Sequence, residues 1–198
     1  PRSEALDDKR EICLERGRIA VAHIVTDLTA ANRTIVERSA DAVARLPDLE
    51  GCSDLERLDA IVPFPTDPAL RAPLFALQEQ LADVAGQQLR GEHTKALATS
   101  RAAVADARLR RHAPTLAAAL DALGDTLFDV NEHAGAEAAY REAASVAADA
   151  RDDVAAAVAW TNVLFTAAER RERLEGIAEL EPVADAAVRR AGDRPSLR

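Results

Sequence analysis

Three aspartates, Asp121, Asp125 and Asp129, recur at every fourth residue, which sets them along one side of a helix. Like charges at that spacing repel and weaken a helix slightly. A basic segment laid against them would relieve the repulsion, and the neighbouring Phe128 offers it an apolar anchor. The other reading is an ordinary solvated surface on an acidic protein, since the formal net charge is −9. That charge repels phosphate backbones and argues against a nucleic-acid partner. The short basic cluster of Arg108, Arg110, Arg111 and His112 sits beside acidic stretches and is read as solvated helix surface.

The remaining reactive residue types do not assemble into a site. His23, His93, His112 and His133 lack the spacing of a metal cluster. His93 and His133 each follow a Glu at equivalent turns, forty residues apart, and are read as turn residues. Cys13 and Cys52 form no CxxC pair, and two thiols alone make a poor zinc site. Three readings stand for them: two buried apolar residues, a disulfide if the region lies outside the cytoplasm, or a reactive thiol. The chain has no Gly-x-Gly-x-x-Gly, His-Arg-Asp or Asp-Phe-Gly, and no P-loop, Gly-x-Ser-x-Gly or His-Glu-x-x-His. It is therefore expected to be non-catalytic, with no cofactor and no metal.

Helices must position these residues. Hydrophobic residues make up 48% of the chain but aromatics only 3%, so the apolar fraction is mostly Ala, Leu and Val. Ala and Leu favour helix, and few segments carry the β-branched enrichment of strands. A long helix is expected over residues 3–30, with Ser3 as its cap and Leu6, Ile12, Ile19, Ile24 and Leu28 as its apolar stripe. Asn32 caps a second helix ending near Arg45, and Ser53 caps a short one. Six prolines and glycines punctuate residues 47–73. The domain boundary is placed there, giving an N-terminal helical segment and connector over 1–72 and helical pairs over 73–198. Later helices open near Pro73, Ala96, Pro114, Ala136, Asp152 and Leu174, and the last ends at Gly192 with Pro195 beyond. No apolar run approaches the ~18 residues that span a bilayer, so membrane insertion is not expected. Pro1-Arg2-Ser3-Glu4 is neither an initiator Met nor a signal-peptide pattern, and the chain is read as a piece of a longer protein.

A repeat runs through the second part. Leu120-x2-Leu123-Gly124-x2-Leu127 precedes Ala136-x3-Tyr140 and Ala143; Trp160-x2-Val163-Leu164-x2-Ala167 precedes Gly176-x3-Leu180 and Val183. Ala96, Ala136 and Gly176 stand forty residues apart. Small residues at Gly124 and Ala136 let two helices cross closely, with Leu120, Leu127 and Tyr140 filling the space around them. Trp160 fills a large core slot.

These residues resemble the tetratricopeptide family, whose period is about 34 residues; here each unit is about six residues longer, over 74–112, 114–150 and 152–191. The resemblance implies an all-α superhelix of about three hairpins whose first helices line a concave surface. Asp121, Asp125, Phe128 and Asp129 then face a groove, joined by Thr161, Phe165 and Glu169 of the next unit and by Gln78 and Gln88 of the earliest.

A wider set of motifs runs in order: Ile12-Cys13-Leu14-Glu15-Arg16, Leu46-Pro47-Asp48-Leu49-Glu50-Gly51-Cys52, Pro63-Phe64-Pro65-Thr66-Asp67-Pro68 and Ala157-Val158-Ala159-Trp160. It resembles the non-catalytic region after the kinase domain in bacterial, myxobacterial-type serine/threonine protein kinases with tetratricopeptide tails. That implies a sensor or scaffold that binds a protein or peptide partner in an acidic-polar groove, in the cytoplasm or outside it. The alternative is a homodimerisation module using the last helix near Val183 and Val188.

Overall fold

A computed structural model describes residues 2–44, 46–47, 49–60, 62–170 and 174–192, with the backbone alone at 2–3 and 174–176. Among these residues all regular structure is helical. The elements are α1 (Arg2–Thr29), α2 (Arg33–Ala44), a 3-10 turn (Glu50–Ser53), α3 (Leu55–Ala60), α4 (Pro68–Leu89) and α5 (His93–Arg110). They continue with α6 (Ala113–Asp129), α7 (His133–Asp149), α8 (Asp153–Glu169) and α9 (Leu174–Arg190). The chain divides into two compact units, Pro1–Arg110 and Arg111–Arg198. The all-α class expected from composition is the class observed.

Turn chemistry sets the helix ends. Gly91, Asn131 and Arg151 have φ of 75°, 62° and 57°, the left-handed conformation that closes a helix. After each, the next amide reaches back to the same helix: Glu92 N–H to Gln87 C=O, Glu132 to Leu127 and Asp152 to Ala147, at 2.8, 2.9 and 2.9 Å. Starts are capped by side chains. Asn32 Oδ1 accepts from Ile35 N–H and Asp152 Oδ1 from Ala155 N–H, both at 3.1 Å, as expected. Four expectations need correction. Asp54, not Ser53, caps α3, because Ser53 is taken up in the 3-10 turn. Helix α4 opens at Pro68, capped by Asp67, so Pro73 and the expected boundary at 72/73 fall inside it. Helix α7 opens at His133 rather than near Ala136, because the turn before it closes on Asn131. Ser3 and Gly176 lie inside α1 and α9, so Ser3 is not the cap of α1, and Arg45 and Pro195 lie outside the described residues.

In the second unit α6 packs on α7, α7 on α8, and α8 on α9, while α6 also touches α8. Short turns between α6 and α7 and between α7 and α8 make these neighbours antiparallel hairpins. Their contacts are built from small residues: Ala117, Ala147 and Ala156 form one buried cluster, and Ala157, Val188 and Ala191 another. At the first crossing a Cβ on Gly124 would overlap the ring of Tyr140, itself buried. In the first unit α4 pairs with α5, and α1 packs on α4. Asp8–Arg71 and Asp27–Arg90 bridge α1 to α4, each at 2.5 Å and each 63 residues apart. A constant offset means that the two helices run parallel. The extended connector before α4 folds back through Phe64, whose ring meets Phe75 edge-on at 5.4 Å. Of the three readings of the cysteines, the bridge is the one present: Cys13 on α1 is joined to Cys52 in the 3-10 turn.

Two outcomes follow from this packing. Helix propensity alone would make Gly124→Ala stabilising by about 1 kcal/mol. Overlap with Tyr140 reverses the sign, and urea denaturation is expected to show a loss of about 1–2 kcal/mol. Reducing the disulfide, or Cys52→Ser, opens a loop with a sequence separation of 39. The chain-entropy relation puts its contribution near 4 kcal/mol, so the α1 segment should exchange its amides far faster while α6–α8 remain protected.

Candidate functional site

Seven of the groove residues singled out in the sequence lie on α6 and α8, which touch each other. Asn162 on α8 donates through Nδ2 to Asp121 Oδ1 at 3.2 Å. Seven residues further along α6, Phe128 packs against Phe165 of α8, with ring centroids 5.4 Å apart and planes tilted by 41°. His133, at the start of α7, also meets Phe128, edge-on at 5.0 Å. Phe165 remains 54% exposed, the one aromatic ring among the exposed large hydrophobics. Glu169 stands one turn along α8 from it, exposed, and Asp129 is half-buried at the end of α6.

The aspartates do not form one free row. Asp125 turns toward α7, where Tyr140 O–H donates to its Oδ1 at 2.7 Å. Asp121 turns toward α8. Successive residues advance about 100° around a helix, so steps of four drift by about 40° each and spread three residues over about 80°. The first two carboxylates therefore serve as internal acceptors that tie α6 to its neighbours. Thr161 Oγ1 donates back to Ala157 C=O at 2.9 Å, within its own helix. Gln78 and Gln88 are half-buried on α4. Asn162 was not foreseen, yet it lies 41 residues after Asp121, one past the repeat step, where a register comparison could have found it.

Each histidine belongs to a different element. His93 and His133 open α5 and α7, as expected of turn residues. His112 caps α6, with Nδ1 2.8 Å from Thr115 Oγ1. His23 on α1 contacts Glu79 on α4 at 3.0 Å, beside a cleft of about 370 Å³. Charges in that cleft pair across it: Arg90 reaches Asp27, and Asp83 at 3.7 Å. Gly86 makes room, because a Cβ there would stand 2.6 Å from Asp27 Oδ2. The hydrogen bond from Arg90 also holds the Glu92 carboxyl below its usual pKa. Among the described residues no group of His, Cys, Asp or Glu is arranged to hold a metal ion, and no helix is long and apolar enough to cross a membrane.

The surface named for self-association is altered by the packing. Val188 is buried against Ala157 and Ala191, while Val183 is exposed. An edge built from both valines is therefore not present on α9.

No protein-family model, curated protein or solved structure matches the chain.

The Tyr140–Asp125 hydrogen bond has a measurable consequence. Hydrogen bonds to charged groups contribute about 1.5–3 kcal/mol, less at a part-buried site. Tyr140→Phe should cost about 1 kcal/mol in urea unfolding, with the helical circular dichroism retained.

Proposed function

We propose that this chain is a non-catalytic protein-binding module of the tetratricopeptide kind, the sensor or scaffold region of a bacterial serine/threonine protein kinase. The observation that carries the reading is Phe165, exposed on α8, supported from beneath by Phe128 and flanked by the carboxylate of Glu169. Buried aromatic rings are common anchors of protein interfaces. Here the Phe128 contact pre-orients the ring, so little side-chain freedom remains to be lost on binding. The partner is a segment with one apolar residue to cover Phe165 and a Lys or Arg to meet Glu169 and Asp129. Asp121 and Asp125 shape the surface through Asn162 and Tyr140 rather than acting as open charges.

The tetratricopeptide reading draws support from the hairpin order, the close Gly124–Tyr140 crossing and the forty-residue recurrence of the turns at Gly91 and Asn131, and Arg111 and Arg151. The kinase-tail reading rests on the ordered motifs of the sequence. Of its two compartments, the Cys13–Cys52 bridge favours the oxidising one, outside the cytoplasm.

The test is peptide display on the immobilised chain, comparing it with Phe165→Ala/Glu169→Lys. Both positions are exposed, so melting should change little. Enrichment of peptides pairing Lys or Arg with an apolar residue is expected, with affinity lower by at least about tenfold in the variant. Enrichment unaffected by the substitutions, or of acidic peptides, would overturn the assignment.

A further inference from the structure

Helix α1 is apolar on two sides, and only one is buried. Ile12 and Ile19 point inward, 8% and 3% exposed. A second row follows alternating steps of four and three: Asp7, Glu11, Leu14, Arg18, Val21, Val25 and Leu28, every one exposed. Single exposed hydrophobics need no explanation. Here Leu14, Val21, Val25 and Leu28 are 45%, 40%, 52% and 36% exposed on one seam. Four–three alternation is the spacing by which one helix meets another along its length.

The charges along the seam choose the occupant. Parallel pairing with a second copy would set Asp7 on Asp7 and Glu11 on Glu11, while Arg18 is already held by Glu15. Antiparallel pairing along the full length would set the acidic end of each copy on the apolar end of the other. Both full-length arrangements are unfavourable, so the seam does not pair with a copy of itself along its whole length. An antiparallel helix that is apolar in its N-terminal half and basic in its C-terminal half satisfies every position. Its basic end lies beside Asp7 and Glu11, its apolar end covers Val21, Val25 and Leu28, and Arg18 between them keeps its pair with Glu15. Basic residues near its C-terminus also suit its own dipole.

We propose that the exposed seam of α1 docks an amphipathic helix of a partner protein with this polarity, a second binding surface separate from the one on α6 and α8. The probe is a fluorescent synthetic helix as long as α1, 28 residues, with a Leu/Ile seam in its first half and Lys in its second. A matched peptide carries Glu in place of Lys. Fluorescence anisotropy with the full chain is expected to show binding of the Lys peptide, at least about tenfold weaker binding of the Glu peptide, and at least about tenfold loss on Val21→Lys/Val25→Lys. Glu11→Lys, a single exposed change, keeps the test meaningful if the double variant unfolds: it should weaken the Lys peptide and strengthen the Glu peptide, each by about threefold. No binding of the Lys peptide, indifference to its charge, or indifference to these substitutions would overturn the proposal. So would sedimentation showing a dimer of the chain that is lost in Val21→Lys/Val25→Lys.

Discussion

Each helix from α4 to α7 is closed by a residue in the left-handed conformation, and these residues recur at one step: Gly91, Arg111, Asn131 and Arg151. The step fixes nearly everything downstream. It leaves room for helices of 17 or 18 residues in α5 to α8, about 25 Å each. In the second unit α6 packs on α7 and α7 on α8, helices of equal length, and the sequence answers with alanine. Ala136, Ala144, Ala147 and Ala157 are fully buried, and at such positions a larger side chain would force the helix axes apart. The left-handed turn is strained for Arg and Asn by roughly 1–2 kcal/mol, and the paired backbone bonds across each turn offset that cost.

The same regularity explains how the α6–α8 surface arises. First helices of successive hairpins meet, so residues near one repeat step apart become neighbours: Asp121 with Asn162, Phe128 with Phe165. A functional surface built this way has a rigid floor of hydrogen bonds and ring contacts, and its exposed part is small. Phe165 is presented because its position faces outward where Phe128 fills the space beneath. The aspartates were more conspicuous in the sequence, but two of them belong to the floor.

Helix identity was legible because Ala and Leu dominate and because Asn32, Asp152 and Pro114 mark starts with side-chain or backbone chemistry that acts within a few residues. The Gly124–Tyr140 crossing was legible for a similar reason: one small and one large residue at repeat-matched positions leave few alternatives. What was not legible depends on partners distant in sequence or on turns lacking glycine. Asn131 and Arg151 carry no glycine signal, so the expected start near Ala136 falls three residues inside α7, which opens at His133. Asp27 and Arg90 carry no local sign of their pairing, which is made across a 63-residue separation over Gly86. The choice between bridged and free cysteines likewise turns on where the Glu50–Ser53 turn lies relative to α1.

That parallel placement of α1 makes the N-terminal unit different in kind from the hairpins. A hairpin is held by its own short turn, whereas α1 reaches α4 only after the chain has passed through α2, the 3-10 turn and α3. Parallel neighbours cannot be joined by a tight connection, so something else must hold the register. Three features do so at separate points: Asp8–Arg71 near one end, Asp27–Arg90 near the other, and the disulfide to the intervening turn. Ion pairs that are partly exposed contribute little individually. Their value here is directional, because a shift of α1 by one turn would break both and leave Asp27, only 8% exposed, without its partner. With α1 locked in this way, its outward seam is held in a fixed position on the unit, and its apolar half is kept at the surface rather than turned into the core.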